Sequence, residues 1–257
     1  MKFKVVIPAR YGATRLPGKP LRRLLGKPLV QYVFENAVAS GADEVVIATD
    51  DERIRKAAEG FSAAVCMTSA QHRSGTERIA EVAERNRYAA DCIVVNLQGD
   101  EPLVPPVLIR QVAEDLAAHP EAAIATLCAR LADAEQLFNP HVVKVVMDRQ
   151  GYALYFSRAA IPWDRDGFAA GPAQPNPQAA YYRHIGLYAY RAGFLRDYVN
   201  QSPCDAEQLE SLEQLRALWY GHRIHVAEAL AETVSGVDTE EDFARVEEIL
   251  RRRNIGK

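Results

Sequence analysis

No apolar run in this chain approaches the roughly 20 residues a membrane helix needs, so a membrane-spanning protein is not expected. Cysteine is scarce. The four residues Cys66, Cys92, Cys128 and Cys204 stand far apart and form no CxxC pair. That argues against a disulfide framework or a cysteine-ligated metal. Three of them lie in apolar runs and read as reduced core residues. Neither sign of charge is in large excess. A net charge of −3 provides no overall basic field for wrapping nucleic acid. Met1-Lys2 leads directly into a short apolar stretch, without the pattern of a signal peptide. No internal repeat and no low-complexity tract is visible. These absences together indicate a soluble, cytoplasmic protein with no nucleic-acid or membrane partner.

What is present is a large core. The 257 residues are 48% hydrophobic, enough to exclude a disordered chain. They suit a single α/β domain, 1–257, with a smaller lobe. Apolar runs at 4–7, 44–49, 63–68 and 92–97 read as strands. Between them, helical spacing of apolar residues places helices near 30–38, 51–59 and 74–86, and a further helix follows at 106–118. This alternation predicts βαβ units and a mainly parallel sheet. The pattern then changes. Residues 122–131, 142–147 and 152–156 read as strands, with a hairpin turn at 148–151. A stretch rich in Gly, Pro and Asn at 164–180 reads as a surface loop. A strand at 183–190, a helix at 207–220, a strand at 223–229 and a last helix from Thr239 follow.

The first strand ends in a loop holding Arg10, Arg15 and Lys19 within ten residues. In an open parallel sheet, ligands bind beyond the carboxyl ends of the strands. Arg supplies a planar fork for phosphate oxygens and Lys a compact point charge. The loop is therefore expected to be exposed and to bind phosphate. It is not a Walker loop, because Pro20 stands where the metal-binding hydroxyl belongs, and GxGxxG is absent. Asp100, in NLQGDEP, follows the strand at 92–97 at the same edge. It can hold Mg²⁺ against phosphate oxygens, or it can sit in an ordinary tight turn. Beside a cationic phosphate loop the metal reading is preferred. In SGVDTEEDF, Asp238 or Thr239 can cap the last helix, with Glu241 or Asp242 completing a capping box, or Asp238 can turn an oxygen to a metal. Spacing leaves both open.

At this point the chain resembles a known family. RYGATRLPGKPL, SGTER, NLQGDEP, FNPHVVKVV, YALYFSRAAIPWDRD, RHIGLYAYRAGF, LEQLRALWYG and GVDTEED are similar to segments of the 3-deoxy-manno-octulosonate (Kdo) cytidylyltransferases, in order, from about residue 3 to 250. The first motif alone would indicate sugar-nucleotide transferases broadly, including CMP-sialate synthetases. The combination is more specific. The resemblance implies a Rossmann-like three-layer sandwich of the nucleotide-diphospho-sugar transferase type. It also implies transfer of CMP from CTP to Kdo with release of pyrophosphate, for lipopolysaccharide assembly. Mg²⁺ is the implied cofactor, and a homodimer formed through the lobe at about 130–190 is implied as well.

Site roles follow from the same resemblance. Arg10, Arg15 and Lys19 would grip the triphosphate and, with Asp100, carry catalysis. Asp100 and Asp238 would hold Mg²⁺. Ser74, Gly75, Thr76 and Arg78 would lie against cytosine and ribose, although Ser74 with Glu77 also has capping-box spacing. Gln98, His184, Tyr188, Glu210 and Gln214 would contact the sugar, the last two expected one turn apart on a helix. His184 reads equally well as a core histidine, and Glu210 as part of a solvated face. Arg158 or Arg165 would meet the Kdo carboxylate. Two rivals are a glycosyltransferase, whose DxD signal is missing here, and a non-catalytic nucleotide-binding module.

Overall fold

The structure, a computed structural model, describes residues 1–12, 16–131, 133–168, 180–234 and 236–255. Its first half is the expected alternation. Strand β1 (Lys4–Pro8) is followed by a 3-10 turn at Lys19–Leu21 and a two-residue hairpin, β2 (Arg23–Leu24) and β3 (Lys27–Pro28). Then come α1 (Leu29–Ala39), β4 (Glu44–Thr49), α2 (Glu52–Glu59), β5 (Ala64–Met67), α3 (Gly75–Arg85), β6 (Ile93–Asn96) and α4 (Pro106–Ala118). The second half contains β7 (Ile124–Leu131), α5 (Ala134–Phe138), β8 (Lys144–Met147), β9 (Ala153–Ser157), β10 (Tyr181–Arg191) and α6 (Ala192–Tyr198). It closes with α7 (Asp205–Glu210), α8 (Gln214–Trp219), β11 (Ile224–Glu228) and α9 (Glu240–Ile255).

The main sheet runs β11-β7-β10-β6-β1-β4-β5, with β8 paired to β10 and β9 to β8. β1 lies parallel to β4 and β6, β4 to β5, and β7 to β11. β10 is antiparallel to both of its main-sheet neighbours, β6 and β7. Alternating side chains feed the two faces. Val5 and Ile7 join the core under α1, α2, α4 and α9, whereas Val6 joins the core with Ile79, Val82, Phe194 and Leu215 from α3, α6 and α8. Because both faces are covered, the inner strands are apolar throughout rather than alternating. This is the expected three-layer, mainly parallel α/β sandwich.

Two departures matter for the site. The helix expected over 207–220 is two helices, because Ser211 takes a left-handed conformation (φ 51°) between α7 and α8. The buried Arg216 guanidinium then donates to Glu207 through Nη2 and Nε, at 2.5 and 2.7 Å, and joins the two pieces. The strand expected at 183–190 is longer and reaches from the main sheet to β8. The small helices α5 and α6 were not anticipated. Of the loop expected at 164–180, residues 169–179 lie outside the described residues.

Candidate active site

The sheet changes winding direction at β1: β4 and β5 extend to one side and β6 to the other. A cleft of about 370 Å³ opens beyond the carboxyl ends of β1 and β6, the position where open α/β sheets bind ligands. Gly99 makes this edge tight. A β-carbon there would lie 2.8 Å from the Pro8 carbonyl oxygen, so only glycine allows the two strand ends to approach and place Asp100 at the rim.

Arg10, at the mouth of the cleft, is exposed. Arg15 lies outside the described residues. Lys19 corrects the expectation of an exposed loop: it is only 8% exposed. Gly18, at φ 68°, turns the chain into the 3-10 turn and swings Lys19 inward. Its Nζ donates to Asp100 Oδ2 at 2.6 Å, to Asp238 Oδ1 at 3.0 Å and to the Val237 carbonyl at 2.7 Å. The two carboxylates therefore converge on a single cation position. Paired hard oxygen donors of this kind suit Mg²⁺.

The role of Asp238 as a helix cap passes to its neighbour. Thr239 Oγ1 accepts from Asp242 N at 3.2 Å, and Asp242 Oδ2 accepts from Thr239 N at 3.1 Å and Asp238 N at 3.0 Å. That reciprocal pair is the capping box, and the Asp238 carboxylate turns to Lys19. Glu101 adds a third acidic group that was not anticipated. Burial, with Asp100 and Asp238 nearby, pushes its carboxyl up to about 8.

The SGTER turn makes the expected cap and also lines the cleft. Ser74 caps α3, accepting from Glu77 N at 3.2 Å, while Glu77 accepts from Arg73 N at 2.8 Å. Ser74, Gly75 and Arg78 line the cleft. The Arg78 charge, however, is held in the wall: it is buried, pairs with Asp50 at 3.1 Å and donates to Thr68 Oγ1. Thr76 donates to Glu213 Oε2 at 3.0 Å.

A second cavity, of about 210 Å³, adjoins the first and shares Gly75, Gln98 and Glu213 with it. Tyr188, Tyr190, Phe194 and Tyr198 form its aromatic wall, with successive rings 5.7–5.9 Å apart. Two buried polar atoms in that wall, Tyr198 OH and Gln214 Nε2, have no hydrogen-bond partner among the described residues. Such orphans are rare unless a water or ligand completes them. Gln98 donates to Asn96 Oδ1 at 3.0 Å and stands where the cavities meet.

The remaining sugar candidates separate. His184 and Tyr188 share a face, with rings 5.3 Å apart, despite a bulge between Ile185 and Tyr188. His184 is bonded to Thr126 Oγ1 at 2.9 Å, and burial pushes its pKa down to about 3, so it is neutral. Glu210 is not brought into either cavity. It accepts from Ser157 Oγ at 2.6 Å and from Arg158 N at 2.9 Å. The break at Ser211 rotates the following turn, so that Glu213 faces the cleft instead. Although part of Glu213 is exposed, desolvation of its carboxyl against the cleft wall raises it from its ordinary value. No periodicity could have signalled this, because the reading assumed one unbroken helix. Arg158 donates to the carbonyls of Glu210, at 2.6 Å, and Pro140, at 2.9 Å. The Arg165 side chain is almost wholly exposed.

The sequence profile described as Cytidylyltransferase matches residues 4–224. A 3-deoxy-manno-octulosonate cytidylyltransferase of Aeromonas hydrophila is 59% identical, with 97% of this chain and 99% of that protein covered. Relatives of the same name from Idiomarina loihiensis and Pseudomonas fluorescens are each 58% identical, covering 97% and 96% of this chain and 98% of each relative. The chain belongs to this family of 3-deoxy-manno-octulosonate cytidylyltransferases. The cytidylyltransferase also superposes on a solved structure of CMP:2-keto-3-deoxy-manno-octonic acid synthetase complexed with CTP. The TM-score is 0.89 at 40% identity, covering 98% of this chain and 100% of that one. A nucleotidyl transferase from Methanothermobacter, at 16% identity and a TM-score of 0.62, shares the fold alone.

Proposed function

We propose that this cytidylyltransferase transfers CMP from CTP to Kdo, with attack by the anomeric hydroxyl on the α-phosphorus and departure of pyrophosphate. The observation that carries the reading is the Lys19 ammonium held between Asp100 and Asp238, in a cleft that opens into a second, polar-tipped aromatic cavity. The cleft takes the triphosphate and the cavity takes the sugar acid. Arg10 and Arg15 offset charge on the departing pyrophosphate. Lys19 keeps the two carboxylates together and presents its ammonium in the same cleft. Asp100 and Asp238 would hold Mg²⁺, which would neutralise charge on phosphate oxygens. Ser74 and Gly75 offer small side chains and backbone groups to the base and ribose. Gln98, Tyr188 and Gln214 meet sugar hydroxyls, with Tyr198 and Glu213 added to the set.

The same reading places the working protein in the cytoplasm as a homodimer. Leu154, Tyr155 and Trp163, on or just beyond β9, are 62%, 38% and 61% exposed. Large apolar side chains left exposed along one segment favour a partner over water, and a second copy of the chain is the partner proposed. The activity is tested by pyrophosphate release with each of the four NTPs against a panel of 2-keto sugar acids. Release only with CTP and Kdo is expected. Equal or better release with a sialic acid would assign the chain to the CMP-sialate type. No release with any pair would overturn the enzymatic reading.

A further inference from the structure

At the opposite edge of the sheet from the cleft, three side chains of metal-ligating chemistry meet. Asp115 and His119 stand one turn apart at the end of α4, and His225 is the second residue of β11. Their ligand atoms all lie within 4.8 Å of one another. The hydrogen bonds around His225 pose a chemical demand. Its Nε2 is 3.1 Å from the Gln150 carbonyl oxygen, and its Nδ1 is 2.7 Å from Asp115 Oδ2. A carbonyl only accepts, so Nε2 carries its hydrogen. Nδ1 then points at a carboxylate, which also only accepts. A cation must lie between them: a second proton, or a metal ion on the Nδ1 lone pair.

The surroundings favour the metal. A ligating histidine is oriented by donating its other ring N–H to a carbonyl, which is the bond to Gln150. That bond needs a close backbone approach: a β-carbon on Gly151 would stand 2.7 Å from His225 Nε2, and Gly151 has φ 85°. A third donor is near. His119 Nδ1 is 3.4 Å from Asp115 Oδ1, and its ring stacks on His225 with centroids 3.4 Å apart and planes 14° apart. To bind one ion, His119 turns out of that stack, and His225 Nδ1 and Asp115 Oδ2, now 2.7 Å apart, spread to admit it. Asp115 and His225 are nearly buried, with side chains 10% and 9% exposed, whereas His119 is 31% exposed and leaves a way in from solvent.

We propose that Asp115, His119 and His225 bind a borderline divalent cation of the Zn²⁺ class. Two imidazoles and a carboxylate suit that ion, with water in the fourth position. On binding, His119 Nδ1 releases the Asp115 carbonyl that it faces at 2.8 Å. The ion braces α4, β11 and, through Gln150, the β8–β9 hairpin. It takes no part in the chemistry of the cleft.

The test uses the full chain, stripped with chelator and titrated with ZnCl₂ by calorimetry. An Asp100→Asn/Asp238→Asn background removes the cleft carboxylates from the count. One equivalent is expected to bind, and at 100-fold excess over Kd the melting temperature should rise by about 5–10 °C. His119→Gln should weaken binding by roughly tenfold or more. If the double variant does not fold, the comparison of wild type with His119→Gln decides alone. Co²⁺ in place of Zn²⁺ should give the visible absorption of a four-coordinate site. Absence of saturable binding, or equal affinity in His119→Gln, overturns the proposal. So does an NMR spectrum in which His225 keeps both ring N–H protons in excess Zn²⁺, since the cation is then the proton.

Discussion

Replacing Lys19 with alanine removes one ammonium from three acceptors contributed by residues 100, 237 and 238. Deleting one partner of a buried ion pair costs about 3–5 kcal/mol, because the other charge is left without compensation. Here that figure must be reduced. The Asp100 and Asp238 side chains are 33% and 52% exposed and rehydrate. The Val237 carbonyl, on a residue with no exposed surface, does not. A loss of about 2–3 kcal/mol follows, or roughly 4–12 °C in melting temperature for a domain of this size. Turnover should fall by roughly 10²–10³. The sharper signature is the metal response. With the ammonium gone, the two converging carboxylates repel, and Mg²⁺ is the cation best able to replace it. Added Mg²⁺ should therefore raise the melting temperature of Lys19→Ala more than that of wild type. In Lys19→Ala/Asp100→Asn that gain should vanish. Thermal melts of the three proteins with and without Mg²⁺ at roughly 10 mM, an ordinary concentration for weak carboxylate sites, decide the matter. An unchanged melting temperature in Lys19→Ala would refute the argument.

Asp238→Asn should leave the stability within about 1 kcal/mol of wild type, since Thr239 and Asp242 make the cap, yet nearly abolish turnover, because a neutral amide holds Mg²⁺ poorly; normal turnover would remove Asp238 from the metal site. Thr239→Ala should do the reverse, costing about 0.5–2 kcal/mol with turnover largely kept, as read by urea unfolding and steady-state assay. Excess chelator should stop pyrophosphate release, and Asp100→Asn should recover in part at high Mg²⁺. His184 is neutral in the fold, with its pKa pushed below its unfolded value near 6.5. The unfolded chain then binds the extra proton, so this contribution to stability is complete above about pH 6.5 and is lost progressively as pH falls toward 3. Urea midpoints between pH 4.5 and 7 should fall less steeply in His184→Phe, and identical slopes would contradict a neutral histidine at this position.

The parallel half of the fold was legible because each βαβ unit carries its own signals. Val5-Val6-Ile7 is apolar on both faces, and the helix expected at 106–118 is α4 itself, Pro106–Ala118. The second half was less so. Ser211 breaks a helix in a left-handed conformation without being glycine, so nothing in the sequence punctuates it. That break exchanged Glu210 for Glu213 at the cleft. The burial of Lys19 was also hidden. Lysine is almost never buried unless paired, and its partners lie 81 to 219 positions away. Asp238 and Thr239 had equal spacing claims on the cap, and only the reach of Asp242 separated them. Arg78, expected against the nucleotide, is tied to Asp50 across 28 residues. Local pattern gave the right loops; which side chain turns inward was decided by contacts that no local window contains.

β10 has one further consequence. At about 3.4 Å per residue, its eleven residues span some 37 Å, and they belong at one end to the seam between β6 and β7 and at the other to β8. Residues 130–190 are thus not a module that can be cut out or exchanged. Removing them would also unzip the main sheet along its middle, and a replacement segment would have to bring a matching seam. A change at the β8 end of this strand is therefore carried along one backbone to the second cavity, where Tyr188 stands on the same strand.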